Sequence, residues 1–97
     1  MNNNEQAKLQ QEISQSNKAK ELLDNTLFKE SLDNLKKIYT SSLFKTGATE
    51  TEAREKLWLA YNVIEKVEQH IIEMFETGKL ATKQLEDFRK QISSQKF

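Results

Sequence analysis

From Ala53 to Met74 the apolar residues of this sequence fall at alternating intervals of four and three: Ala53, Leu57, Ala60, Ile64, Val67, Ile71 and Met74. The same phase runs on through Gly78, Ala81, Leu85, Phe88 and Ile92. A step averaging 3.5 residues keeps side chains on one face of an α-helix, whereas the faces of a strand alternate every second residue. The stretch is therefore a heptad seam, and a seam must be covered. Proline is absent and only Gly47 and Gly78 supply glycine, so the punctuation that short strands need between them is missing. Together these features predict an all-α protein. The expected architecture is a helical hairpin with a long, coiled-coil-like second helix, assembled into an oligomeric helical bundle.

The first arm of the hairpin is legible upstream. Phe28, Leu32, Leu35, Tyr39 and then Ser42 or Leu43 recur at helical spacing over TLFKESLDNLKKIYTSSLF. Asp24, Asn25 and Thr26 are all good N-cap types, so this helix is expected to start at about residue 26. The segment KTGATETEAR is the clearest break. Gly47 suits a left-handed C-cap, and Thr49 with Glu52 three residues on matches a capping box. One helix is expected to end near 45 and the next to begin near 50. Gly78 would cost an exposed helix interior about 1 kcal/mol relative to alanine, yet the heptad phase crosses it without a slip. The second helix is therefore expected to continue, straight or kinked, through that glycine. Residues 1–23 offer only Leu9, Ile13, Leu22 and Leu23 as large apolar groups, and they read as a polar tail or weak helix. Residues 24–97 read as the hairpin domain, carrying a basic C-terminal extension.

A chain of 97 residues makes one domain at most, and chains of that size bury only about 60 to 65 per cent of their unfolded surface. Its 36% hydrophobic and 31% charged residues are enough to fold but leave a single core marginal. Beside the seam, Trp58, Leu59, Tyr61, Val63, Ile72 and Phe75 widen the apolar arc beyond what one antiparallel helix covers. Fully burying such side chains stabilises by roughly 1.5 to 3 kcal/mol each, and exposed clusters of them mark interfaces. The expected interface set is Leu57, Trp58, Tyr61, Ile64, Val67, Ile71, Ile72 and Phe75, covered by a second copy or by another protein.

Candidate chemistry is sparse. Without cysteine there is neither a disulfide nor a thiolate metal site. His70 has Glu73 and Lys66 as helical neighbours, too few ligands for a metal. Pairs such as Glu65 with Glu68, or Glu73 with Glu76, have the spacing for a shared site but no cleft-forming loop to desolvate them. Phosphate-loop, dinucleotide, nucleophile-elbow and zincin motifs are all missing. The reading is a non-enzymatic protein with no cofactor, no metal and no small-molecule substrate. The N-terminus has no apolar signal region and no run is long and apolar enough to span a bilayer, so no membrane role is expected.

Fifteen basic and fifteen acidic residues cancel, which denies the chain a global pull on nucleic acid. Their distribution is uneven. Residues 50–78 carry three basic and seven acidic groups, residues 79–97 five and two. Lys79, Lys83, Arg89, Lys90 and Lys96, interleaved with Phe88 and Phe97, are the candidate nucleic-acid contacts, and any binding should be weak and salt-sensitive. The plainer role of such residues is to complement a helix C-terminus.

The run from Leu27 to Glu86 resembles small helical proteins encoded among the head and packaging genes of tailed bacteriophages. The residues that carry the likeness are Leu27 and Phe28, then Arg54, Leu57 and Trp58, then Val67 and Glu68, and finally Glu76, Gly78 and Lys79. The resemblance implies a structural or DNA-packaging and assembly protein, in its most concrete form like a small terminase subunit, located in the host cytoplasm or the virion. The competing class is a small phage-encoded protein that binds and inhibits a host enzyme or defence system.

Overall fold

The computed structural model describes residues 1–94, and among these there are three helices and no strand: α1 (Asn3–Asp24), α2 (Thr26–Phe44) and α3 (Thr51–Ser94). The all-α expectation holds, and α3 runs through Gly78 as one helix. The described chain forms two compact units. One joins Met1–Leu22 to the chain from Ile71 on, and the other is Leu23–His70.

Unit Leu23–His70 is the expected hairpin. Asn25 starts α2 as its N-cap: its backbone is extended and its side-chain oxygen accepts from the Phe28 N–H at 2.9 Å, satisfying one of the free donors at a helix start. α2 buries Leu32 and half-buries Phe28, Tyr39 and Leu43, as the spacing predicts, whereas Leu35 of the same stripe is exposed. The connection differs in detail from expectation. No described residue adopts a left-handed backbone, so Gly47 is not a left-handed cap. The last carbonyls of α2 are satisfied without one: the Lys45 N–H donates to Ser41 and Ser42, and Thr46 donates to Leu43 through both its N–H and its hydroxyl. Nor does a hydrogen bond join Thr49 to Glu52. Instead the Arg54 guanidinium folds back onto the Gly47 and Ala48 carbonyls, at 2.5 and 3.2 Å, and braces the turn.

The other unit departs from expectation. Of the two readings of residues 1–23, tail or weak helix, the helix forms, and α1 packs on the C-terminal part of α3 instead of standing outside the hairpin domain. Leu9, Ala81 and Leu85 make its core, with Ile13 packed against them. Ser16, higher on α1, donates its hydroxyl to the Phe75 carbonyl at 2.7 Å. Numbers fall along α1 as they rise along α3, so the two run antiparallel. Residues 79–94 are thus half of a helix pair and not a free basic extension.

Gly78 explains how so polar a helix packs at all. It is buried, and a Cβ built on it would collide with the Ser16 side chain and come within 2.8 Å of the Glu12 backbone oxygen. With hydrogen there instead, the two backbones approach closely. Buried Ser16 then packs where a large side chain would not fit.

Candidate interaction surfaces

In the Leu23–His70 unit one ion pair orients the two helices. The Lys36 ammonium donates to Glu68 Oε1 at 2.7 Å, with both side chains mostly covered. The flank of α2 that carries Lys36 therefore adjoins the flank of α3 that carries Glu65 and Glu68. The hydrogen bond to Glu68, strengthened by the charges of Glu68, Glu65 and Asp33, holds the Lys36 ammonium above its ordinary range against a smaller opposing effect of burial. Because the folded value is raised, this stabilisation is complete below the unfolded value and fades only as strongly alkaline pH removes the proton. Trp58 and Tyr61 lie on the same flank, their rings stacked with centroids 6.5 Å apart. The Glu65 carboxylate at the Tyr61 hydroxyl holds that phenol above its usual range.

The opposite flank has an aliphatic centre. At about 100° per residue, Leu59, Val63 and Val67 fall on the far side of the α3 seam from Glu65 and Glu68. On α2, Leu35 and Ile38 fall on the far side of Leu32 from Lys36. All five are exposed: Leu59 63%, Ile38 56%, Val63 50%, Val67 49% and Leu35 38%. The α2 residues beside them, Ser31, Asn34 and Ser42, are uncharged. Lys66 and His70 stand at the outer edge of the patch, and Lys56 sits near the turn, paired with Glu52 at 3.2 Å.

This redistributes the expected interface set. Leu57, Tyr61 and Ile64 are half-buried within the hairpin, whereas Trp58 and Val67 are exposed. Ile71, Ile72 and Phe75 are half-buried in the other unit. Leu35 and Ile38 lie outside the expected set because a single-helix pattern assigns them to the seam or to solvent. Only the pairing of flanks by Lys36 and Glu68 places them beside Val63 and Val67.

The unit containing α1 offers two further surfaces. An open groove of about 800 Å³ runs between α1 and α3, lined by the apolar Leu9, Leu80, Ala81 and Phe88 and by the charged Glu5, Lys8, Glu12 and Asp87. Lys79, Lys83 and Lys90 align along α3 by helical spacing and are exposed, and the Lys79 ammonium sits 5.4 Å from the centre of the Phe75 ring. Arg89 leaves that line and borders a smaller groove with Ile13 and Leu85. Glu86 lies among the lysines and dilutes their charge. Lys96 lies outside the described residues.

Among the described residues no group of three or more His, Asp or Glu is placed to hold a metal ion, and no helix is long and apolar enough to cross a membrane. Compared with known proteins, the chain matches no family model, no curated protein and no solved structure.

Proposed function

We propose that this chain is a non-enzymatic assembly protein that acts through helix-mediated self-association, as a structural or DNA-packaging component of a tailed phage. The observation that carries the reading is the apolar patch on one flank of the α2–α3 hairpin, where five large aliphatic residues are exposed together. A patch of that kind on so small a chain is the mark of an interface. The resemblance of Leu27–Glu86 to head and packaging proteins supplies the phage setting. If the proposal holds, purified virions contain the chain in many copies and the isolated protein is oligomeric at micromolar concentration. A strict monomer that never enters particles would reject it in favour of an inhibitor of a host enzyme.

DNA binding, where it occurs, falls to Lys79, Lys83 and Lys90, the three cations that share one line. Replacing all three by glutamine should weaken binding to duplex DNA and flatten its salt dependence by about 0.9 on a log-log plot for each phosphate left without its lysine. Fluorescence anisotropy between low and physiological salt reads both effects. Unchanged affinity and slope would leave protein–protein association as the whole of the role.

A further inference from the structure

We infer that the apolar flank formed by Leu35, Ile38, Leu59, Val63 and Val67 is the seat of a second copy of this chain, related by a two-fold axis, so that two α2–α3 hairpins close into a four-helix bundle. The inference rests on the self-association proposed above and specifies its surface. A two-fold interface brings a patch against itself, so the patch must tolerate its own charge pattern. The flank bearing Glu65 and Glu68 does not, because each copy would present carboxylates to the other with Lys36 already engaged by Glu68. The opposite flank has aliphatic side chains at its centre and Ser31, Asn34 and Ser42 along its α2 side, and its charged groups lie towards its ends and outer edge: Lys56, paired with Glu52, near the turn, and Lys66 and His70 beyond Val63.

Area gives the second argument. At these exposures the five side chains leave on the order of 400 Å² of apolar surface, within the range of patches that are functional on monomers. Pairing the patch with its own copy hides about twice that. An interface of the roughly 1,200 to 2,000 Å² of a stable dimer must therefore also bury the polar residues of both helix edges. The geometry also suits the partner: an antiparallel helix pair with one open side becomes a four-helix bundle when a second pair closes it. The groove beside α1 is less suited to a second copy, since four charged residues, Glu5, Lys8, Glu12 and Asp87, line it.

The test is sedimentation velocity on the intact chain over about 1 to 200 μM, a span that brackets micromolar dissociation constants, beside the variants Val63→Lys and Trp58→Lys. Both positions are exposed, so helicity by circular dichroism should be retained. Val63→Lys is expected to raise the dissociation constant at least about tenfold, as an interface-centre substitution does, and Trp58→Lys to leave it within about twofold. Should Val63→Lys lose helicity, Val63→Cys and Trp58→Cys replace the two variants. In a chain with no other cysteine, air oxidation is then expected to link copies through position 63 and not through position 58. Oligomers broken by Trp58→Lys but not by Val63→Lys, or cross-linked through 58 alone, would overturn this assignment while leaving self-association intact. A monomer at every concentration would overturn both.

Discussion

Gly78→Ala should destabilise the protein, against the usual expectation for a glycine in a helix. In an exposed helix the same change stabilises by about 1 kcal/mol, because alanine loses less backbone freedom on folding. Here the added methyl meets the Ser16 side chain and stands 2.8 Å from the Glu12 carbonyl oxygen. A backbone oxygen within a helix cannot swing aside, so α1 must back away from α3. Overpacking of this kind typically costs about 1 to 3 kcal/mol, and moving α1 also stretches the Ser16–Phe75 hydrogen bond. The steric cost wins, for a net loss of about 1 to 2 kcal/mol. Urea denaturation gives the net value, and hydrogen exchange should show the amides of α1 opening first. Ser16→Gly in the Gly78→Ala background should recover part of the α1 protection, since it removes the side chain but not the Glu12 oxygen. A Gly78→Ala protein more stable than its parent would show that the two helices do not approach this closely.

Leu85→Ala should be the most damaging truncation of a large side chain in the unit that holds α1. Leu85 is buried with Leu9 and Ala81, and beyond Ile13 few large groups are near to fill a void. Large-to-small changes in cores cost about 2 to 5 kcal/mol. The thinness of this core allows partial collapse and places the expected loss near about 2 to 3 kcal/mol. Trp58→Ala is the control: the indole is larger but mostly exposed, and its removal should alter monomer stability by no more than about 0.5 kcal/mol. Equal losses from the two substitutions, measured by the same urea midpoints, would contradict the placement of the core.

The hairpin is legible in the sequence because its signals are large and periodic. The seam from Ala53 onward, the α2 stripe at Phe28, Leu32 and Tyr39, and the cap at Asn25 each correspond to a structural feature within a residue or two. α1 is hidden for a physical reason. A count of large apolar groups finds four in residues 1–23, but the helix pair closes on small ones, with Ser16 set against Gly78 and Ala81 packed with Leu9. The legible clue is a glycine kept in phase within a heptad seam, since a seam position with no side chain implies a neighbour at short range. The apolar flank is obscured differently. Its five residues come from two helices, and periodicity within one helix carries no information about which flank of the other lies beside it. Val67 shows the limit most clearly: its spacing assigns it to the seam, yet it stands at the seam's edge and remains exposed.

The bond from Ser16 to Phe75 spans 59 residues of chain and the pair of Lys36 with Glu68 spans 32. That difference orders events on the ribosome. The α2–α3 hairpin needs only a short turn to close, and it can form once residue 70 has emerged. α1 is synthesised first but must wait for the last part of α3 before it has anything to pack on. A strongly apolar helix held waiting in that way would invite misassociation with other nascent chains. The Gln, Asn, Lys and Ser that make α1 read as a tail are what allow it to wait in water, and a glycine notch that accepts small side chains lets it dock at the end.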